Sequence, residues 1–441
     1  MEDKLRGFAI NDSQNSHIIP RSEHPVSRSR ISENALKVLY RLNKAGYQAY
    51  LVGGGVRDLL LGREPKNFDI ATDALPDEVR KLFRNCRLIG RRFRLAHIIF
   101  GREVIEVATF RAQAGEGEEG GIDQQANGRI LRDNVYGNLE EDAWRRDFTI
   151  NALYYNIEDF SVMDYTGGMA DIEAGLLRVI GDPEQRFRED PVRMLRAVRF
   201  AAKIGFRIDA DSEAKIFELG YLLQDIPAAR LFDEVLKLFM GGYALQTYEL
   251  LRHYDLFQYL FPATDAELAK EENHFPHTLV VRALENTDAR IEQGKPVTPA
   301  FLYAALLWEP VRQQWLQLQQ DGVPAQQALI RAAQAVISQQ LECTSLPRRF
   351  STPMQEIWAL QPRLGKRAGK RAWGLFQHPR FRAAYDFLLL CAEAGEADQE
   401  VAEWWTTFQE VDEDERKAMV RKLTPKRGRR GRRPRKQKAA E

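Results

Sequence analysis

Hydrophobic periodicity divides the chain into a mixed first part and a helical second part. Apolar residues at helical spacing follow Ser32, a favoured helix cap, and stop before Gly46, a residue type that favours helix ends. Short apolar runs then predict strands at 47–52, 68–71, 94–100 and 104–109, and helices at 56–61 and 76–84. Strands that alternate with helices are typical of a small α/β domain.

Strand signals fade after about residue 189, and helical patterns continue to about residue 420. We therefore predict an α/β head followed by an elongated, all-helical body. In this scheme residues 31–155 form the head, 156–240 a connecting neck and 241–420 the body. Residues 1–30 and 421–441 lack periodic apolar positions, which predicts that both ends are disordered.

Composition excludes several classes of protein. The chain of 441 residues is 44% apolar and 29% charged, which allows more than one buried core. No apolar run approaches the ~18 residues that a membrane-spanning helix needs, so we expect no transmembrane segment. Cys86, Cys343 and Cys391 are scattered and form no paired spacing, which favours a reducing compartment and hence the cytoplasm.

The charge of the chain is strongly asymmetric. Residues 424–441 contain nine Lys or Arg and one acid, whereas the whole chain has a formal charge of +1. We expect this tail to bind a polyanion through Arg429, Arg430, Arg432 and Arg433. Charge alone does not distinguish RNA from DNA or anionic lipid, and a purely solubilising tail is also open.

A second basic stretch, residues 365–382, combines cations with aromatic residues. These are Lys366, Arg367, Lys370 and Arg371, followed by Trp373 and Phe376. Such a mixture suits single-stranded RNA, through phosphate contacts and base stacking. The aromatic residues could equally be the buried side of an amphipathic helix.

The sequence with the clearest chemistry is LVGGGVRDLLLGREPKNFDIAT, residues 51–72. A strand, a glycine turn and a helix N-terminus present free backbone N–H groups, which suit phosphate. No Gly-Lys-Ser/Thr follows, so this is not a P-loop. In the second strand, positions 67 and 69 share one face, while Phe68 and Ile70 point into the core. Two carboxylates on that face could bind two Mg²⁺ ions, but only Asp69 is a carboxylate, because position 67 is Asn67.

Four motifs in order resemble one enzyme family. Residues 53–69 match a GG-x-VRD-x-LLG turn followed by Asp-x-Asp, except at Asn67. The three motifs that follow are RRDFTIN at 145–151, DYTGG at 164–168 and EDPVRMLR at 189–196. This order resembles the class II branch of the DNA polymerase β-like nucleotidyltransferases, which contains the bacterial poly(A) polymerases and CCA-adding enzymes. The head is therefore expected to have that nucleotidyltransferase fold.

The resemblance implies roles for individual residues. Asn67, Asp69 and Asp147 would be the catalytic, metal-binding positions. Gly54, Gly55 and Arg57 would bind the triphosphate, with Asp58 orienting their turn. Arg146 and Asn151 would bind near the ribose. Asp190, Arg193 and Arg196 would contact the nucleobase. Independently, the spacing of these last three predicts one helical face on which a carboxylate and guanidinium could read a base edge. An ordinary surface salt-bridge ladder is the alternative.

Residues 88–98, LIGRRFRLAHI, resemble the bacterial poly(A) polymerases more closely than the CCA-adding enzymes. The predicted function is template-independent addition of AMP from ATP to RNA 3′ ends by two-metal phosphoryl transfer. The expected partners are RNA 3′ ends and ATP, with RNA-decay or RNA-chaperone proteins as further candidates. A CCA-adding tRNA nucleotidyltransferase and a catalytically dead RNA-binding homologue are the alternatives.

Several residues near this segment have two interpretations. The arginines could hold triphosphate or RNA backbone, or form a solvated face: Arg84, Arg87, Arg91, Arg92 and Arg94. His97 is expected to be a structural strand residue. Glu106 could approach the metals or could pair with Arg111.

Asn67 is expected to impair catalysis. Its side chain is nearly isosteric with Asp, so the fold should survive, but a neutral amide is a poor Mg²⁺ ligand. Losing a direct ligand should cost more than the roughly 10–100-fold typical of outer-sphere defects. Three explanations are open. The substitution could be an engineered substrate trap, the acid could be restored by deamidation or by correcting a recording error, or the chain could be a natural homologue that binds RNA without catalysis.

Overall fold

The computed structural model describes residues 17–90, 94–112, 135–270 and 278–423. The chain forms two compact units, Met1–Ile226 with His253–Leu256, and Pro227–Arg252 with Phe257–Glu441. The division after Ile226 lies before the predicted neck–body boundary at residue 240. The predicted RNA-binding residues Arg429, Arg430, Arg432 and Arg433 lie outside the described residues, as do Arg91 and Arg92.

The first unit contains the strands of the described chain. They are β1 (His17–Ile19), β2 (Ala49–Val52), β3 (Asp69–Thr72), β4 (Cys86–Ile89), β5 (Leu95–Phe100), β6 (Glu103–Thr109), β7 (Leu153–Asn156), β8 (Val162–Asp164), β9 (Leu176–Leu177) and β10 (Arg207–Ile208). Eight form one sheet in the order β1-β8-β7-β2-β3-β6-β5-β4. The β3–β6 pair is parallel, whereas the other neighbours in this sheet are antiparallel.

The helices of this unit are α1 (Glu33–Lys44), α2 (Gly54–Leu60), α3 (Pro76–Leu82), α4 (Leu139–Trp144), α5 (Gly168–Ala174), α6 (Pro183–Glu189), α7 (Val192–Ile204) and α8 (Ala210–Leu219). The predicted cap is confirmed, because the Ser32 side chain accepts a hydrogen bond from the backbone N–H of Ala35. Gly46 has a φ of +90°, as expected just beyond a helix end.

Strand alternation separates the two faces of the sheet. Leu51, Ile70 and Val107 belong to one hydrophobic core, which also contains Phe68. Val52 and Ala71 belong to a second core on the other face. The prediction that Phe68 and Ile70 point into a core is thus confirmed, and Asp69 lies on the opposite face.

The expected disorder of residues 1–30 is wrong for its second half. Strand β1 pairs with β8, and short 3₁₀ helices follow at Arg21–Glu23 and Arg28–Arg30. Buried Val26 joins the first core. Periodicity missed this segment because its order comes from pairing with a distant strand.

The described part of the second unit is helical. Its helices are α9 (Ala228–Phe239), α10 (Ala244–His253), α11 (Phe257–Leu260), α12 (Pro262–Leu268), α13 (Leu279–Glu292), α14 (Pro299–Leu306), α15 (Trp308–Gln320), α16 (Ala325–Cys343), α17 (Arg348–Leu364), α18 (Lys370–Phe376), α19 (Phe381–Glu393), α20 (Gln399–Glu410) and α21 (Glu413–Leu423). The predicted head and helical body are confirmed. None of the described helices combines the length and apolar character that crossing a membrane requires.

Candidate active site

The glycine turn joins β2 to α2 and packs against the entry to β3. Gly53 has a φ of +72°, which favours glycine, and it precedes the first residue of α2. A Cβ atom on Gly55 would lie 3.4 Å from the backbone oxygen of Asn67. The predicted phosphate turn and the predicted metal-binding strand are therefore adjacent in the fold.

Two carboxylates lie side by side on the face of the sheet that carries Asp69. Parallel pairing of β3 with β6 places Asp69 opposite Glu106, and neighbouring strands lie about 4.8 Å apart. On the next strand, Nε2 of His97 lies 3.5 Å from Oε1 of Glu106. Glu106 thus lies between His97 and Asp69. Of its two interpretations, this geometry favours the one in which Glu106 approaches the metals over the one in which it pairs with Arg111.

Asn67, Asp69 and Glu106 line one cavity of about 450 Å³. Lys66 and Arg102 contribute cationic groups to its wall. Asn67 is exposed and precedes the first residue of β3. This cavity is large enough to admit the phosphate groups of a nucleotide, and it unites the two predicted positions of the Asp-x-Asp motif.

The electrostatics of this cavity leave its carboxylates poorly compensated. Burial, followed by the neighbouring charge of Glu106, raises the pKa of Asp69 to about 6, although Arg146 and His97 act in the opposite direction. A raised carboxylate pKa means that a cation is electrostatically favoured there. Bound divalent metal would supply the missing positive charge.

Both carboxylate oxygens of Asp147 accept hydrogen bonds from other residues, and its metal-binding role stays a prediction. Its Oδ1 accepts hydrogen bonds from the Phe148 backbone at 2.9 Å and from Asn151 at 3.3 Å. Its Oδ2 accepts hydrogen bonds from the Arg196 guanidinium. Among the described residues, no group of three His, Cys, Asp or Glu side chains is placed to hold a metal ion. Asp147 is therefore a partner of Arg196 in this structure.

The pKa of Asp147 agrees with that role. Burial acts to raise it, but the charge and hydrogen bonds of Arg196 and the hydrogen bond from Asn151 leave it below its ordinary value. A carboxylate held ionised by a guanidinium has less need of a metal. The sequence motif could not reveal this contact, because Arg196 belongs to a helix of a later motif.

Arg57, predicted to bind the triphosphate, is buried in this structure. Its side chain is 1% exposed. The guanidinium donates to Asp58 at 2.6 and 2.9 Å and to Asn151 at 2.6 Å. These bonds engage its nitrogens inside the protein and support the turn, and a contact of Arg57 with the triphosphate stays a prediction. Asp58 is fixed beside it, as expected for a residue that orients the turn.

The backbone amides of the turn remain the candidate phosphate ligands, with Gly54 and Gly55 in the first turn of α2. Nearby, Arg146 donates to Asp142 at 2.9 Å and to the Tyr154 hydroxyl at 2.8 Å. Nη1 of Arg146 would lie 3.6 Å from a Cβ atom on Gly53, so this guanidinium borders the glycine turn, and its charge acts to lower the pKa of Asp69.

The predicted nucleobase residues do not form one helical ladder. Asp190 lies at the end of α6, before α7 begins at Val192. Arg193 donates to Glu189 at 2.9 Å and to the Arg186 carbonyl at 2.7 Å. Arg196 instead turns to Asp147. The spacing argument missed the bend between the two helices, which places Asp190 outside the helix that carries Arg193 and Arg196.

Buried Arg186 holds this bend against the preceding motif. It donates to the carbonyl oxygens of Arg145 and Arg146, both at 2.6 Å. Burial, followed by the charge of Arg193, lowers its pKa to about 10. Burial and neighbouring guanidiniums, first that of Arg111, likewise lower the pKa of Arg145 to about 9. This concentration of positive charge suits a polyphosphate.

In the second unit, the basic stretch has an inner and an outer face. Trp373 and Phe376 pack against Phe408 and belong to a hydrophobic cluster. The amphipathic interpretation of the two aromatics is therefore the correct one. Arg367 lies over Trp404 and pairs with Glu400, whereas the other three predicted RNA-binding cations are exposed: Lys366, Lys370 and Arg371.

Comparison with known proteins identifies the family. Three family models match: "Poly A polymerase head domain" at residues 49–178, "Probable RNA and SrmB- binding site of polymerase A" at 205–268, and "Polymerase A arginine-rich C-terminus" at 321–439. The poly(A) polymerase I of Salmonella typhi is 51% identical over 426 residues, which cover 95% of this chain and 92% of that protein. This chain belongs to the bacterial poly(A) polymerase family.

Other relatives place this family among RNA nucleotidyltransferases. The poly(A) polymerase I of Haemophilus influenzae is 44% identical over 96% of this chain and 95% of its own length. The CCA-adding enzyme of Lactobacillus helveticus is 38% identical over 49% of this chain and 52% of its own. The Bacillus stearothermophilus CCA-adding enzyme in complex with CTP superposes with a TM-score of 0.54 and 26% identity, over 85% of this chain and 82% of that one.

Proposed function

We propose that this chain adds AMP from ATP to RNA 3′ ends at the cavity lined by Asn67, Asp69 and Glu106. The observation that carries the proposal is the parallel pairing of Asp69 with Glu106 at that cavity, beside the glycine turn. Membership of the poly(A) polymerase family supports polyadenylation as the reaction. The CCA-adding relatives match only about half of the chain, at 38% and 39% identity.

The residues present fit divalent metal, with one weak ligand. Asp69 and Glu106 provide adjacent carboxylates, and burial, followed by the charge of Glu106, raises the pKa of Asp69. The Asn67 amide oxygen would occupy the third position. Two Mg²⁺ ions bound there would activate the RNA 3′-hydroxyl and stabilise charge on the α-phosphate of ATP.

The remaining residues bind and orient the reactants. Backbone N–H groups at Gly54 and Gly55 would face the phosphates, with Arg146 and Arg145 nearby. Asp190 and Arg193, at the bend between α6 and α7, would select adenine. Asp147, Asn151 and Arg57 would hold these two parts in place through their mutual hydrogen bonds.

The Asn67→Asp variant tests the proposal most directly. We expect this variant to add AMP to a generic RNA primer more than about 100-fold faster than the unaltered chain, because a carboxylate replaces a neutral ligand. Primer extension with each of the four nucleotides and Mg²⁺ is the measurement. Asn286→Asp adds the same charge at an exposed position in the second unit and should leave the rate unchanged.

Two outcomes would favour the rival functions. Incorporation of CTP into a tRNA that lacks its 3′ end would indicate a CCA-adding enzyme. No nucleotide addition by a folded Asn67→Asp variant that still binds RNA would indicate a non-catalytic homologue. The proposal also includes RNA contacts at Lys366, Lys370 and Arg371, and RNA-decay or RNA-chaperone proteins as partners. It further includes a cytoplasmic location, which is supported by three cysteines that are all free thiols.

A further inference from the structure

Two helices of the first unit carry the two halves of the proposed nucleotide site. Helix α2 begins at the glycine turn, which would face the phosphates, and α7 begins beside the residues that would contact the base. Discrimination between bases requires that these two helices keep a fixed separation and angle. Contacts between α2 and α7 hold that geometry, and their importance for selection rests on the function proposed for this site.

A path of hydrogen bonds connects the middle of α7 to α2. Arg196 donates to Asp147, and Asn151 donates to the other oxygen of Asp147 at 3.3 Å. The Asn151 side-chain oxygen accepts a 2.6 Å hydrogen bond from Arg57 of α2. The ring of Phe200, one turn along α7, lies under the guanidiniums of Arg57 and Arg196, at 5.2 and 5.3 Å.

A second path connects the end of α7 to the next residue of α2. Nζ of Lys203 lies 3.2 Å from Oδ2 of Asp58. The other oxygen of Asp58 accepts hydrogen bonds from Arg57. The two paths therefore meet at Arg57 and Asp58, and they close a ring of polar contacts that starts and ends on α7.

Two attachments constrain a helix more than one does. Arg196 and Lys203 are separated by about 10 Å along α7, at 1.5 Å of rise per residue. A single contact would leave the helix free to pivot, whereas a second contact at this distance fixes its direction. Arg63, shortly after α2, adds contacts to the same end by donating to the carbonyl oxygens of Lys203 and Ile204 at 2.9 and 3.1 Å.

We propose that Lys203 is a positioning residue that sets adenine selectivity by fixing the angle of α7 relative to the glycine turn. Lys203 touches neither of the residues that would contact the base. The bend at Arg193 lies about 15 Å away at the other end of α7. A small rotation at Lys203 therefore becomes a displacement of the base contacts relative to the phosphates.

Lys203→Met tests this role because it keeps the apolar stem and removes the ammonium. Lys215→Met is a matched control, because the Lys215 side chain is 30% exposed and that of Lys203 is 28% exposed. Like Lys203, Lys215 pairs with carboxylates, in its case those of Glu184 and Glu218. The measurement is the dissociation constant of ATP and of GTP for each otherwise unaltered chain, with Tm determined in parallel. Lys203→Arg should largely restore the behaviour of the unaltered chain.

We expect the preference for ATP over GTP to fall about tenfold in Lys203→Met and to stay unchanged in Lys215→Met. An unchanged preference in Lys203→Met, with only a lower Tm, would assign Lys203 a structural role and overturn the proposal. A chain that binds ATP and GTP equally would also overturn it, because Lys203 would then have no selectivity to set.

Binding and catalysis are separated by repeating the comparison in the Asn67→Asp background with an RNA primer. There we expect Lys203→Met to raise GMP incorporation relative to AMP incorporation. Absence of any nucleotide addition by Asn67→Asp alone would contradict the proposed function, whereas normal AMP addition with undiminished selectivity in Lys203→Met would contradict only the role of Lys203.

Discussion

Asp69 and Asp147 are carboxylates of the same unit with opposite surroundings. Asp69 lies beside a second carboxylate at an open cavity, and burial together with Glu106 raises its pKa to about 6. At Asp147, Arg196 and Asn151 overcome the effect of burial and lower the pKa. The difference teaches that burial alone does not set the pKa of these two carboxylates: the outcome depends on whether the nearest charged neighbour is a carboxylate or a guanidinium.

The largest expected effect comes from removing the poorly compensated carboxylate. In the Asn67→Asp background, Asp69→Asn should reduce AMP addition by more than about 100-fold, because a direct metal ligand is lost. Stability at neutral pH should be unchanged or higher, since the folded protein no longer holds this strained charge. Primer extension and thermal unfolding measure the two effects. A large loss of Tm with little loss of activity would reverse the assignment.

Removing the compensated carboxylate should mainly affect stability. Asp147→Asn leaves Arg196 without its charged partner and should lower the free energy of unfolding by about 2 kcal/mol. This loss is smaller than that expected from breaking a fully buried ion pair, because the Arg196 side chain is 33% exposed. The lowered pKa of Asp147 means that its stabilisation is present above the ordinary aspartate pKa and is lost as the pH falls through the lowered value. The difference in free energy of unfolding between the two proteins should therefore shrink in acid. A pH-independent difference would contradict this account.

The contrast can also be sharpened with metal and pH. Mg²⁺ should lower the pKa of Asp69 from about 6, and Mg²⁺ affinity should fall up to about tenfold for each pH unit below that value, because the ion competes with the proton. Carboxylate NMR of the unaltered chain, with and without Mg²⁺, measures both. Asp147 should respond little, and equal Mg²⁺-induced shifts at both residues would restore the original assignment of Asp147 as a ligand.

A smaller effect is expected where the same contrast recurs in the second unit. Replacing Lys366, Lys370 and Arg371 together with Gln should weaken RNA binding by several-fold and reduce the salt dependence by a slope of about 2. Arg367→Gln should chiefly lower Tm, because its side chain is 11% exposed against Trp404 and Glu400. RNA titrations at several salt concentrations test this division, which would fail if Arg367→Gln weakened binding as much as the triple variant.

The sequence was informative wherever the chemistry depends on local order. It predicted the cap at Ser32, the turn before α2, and the shared face of positions 67 and 69 opposite Phe68 and Ile70, because each depends on neighbours only a few residues away. It did not reveal the contacts of Arg57 with Asn151 or of Asp147 with Arg196, since those partners belong to segments distant in the chain.

Strand and helix periodicity, together with the order of the motifs, thus determined the α/β head, the helical body and the family to which the chain belongs. Tertiary structure alone decided that Glu106 pairs with Asp69 and that Arg196 pairs with Asp147. Periodicity sets the direction of a side chain relative to its own element. The register between distant elements follows from how their hydrophobic cores pack, and that packing is a property of the whole fold.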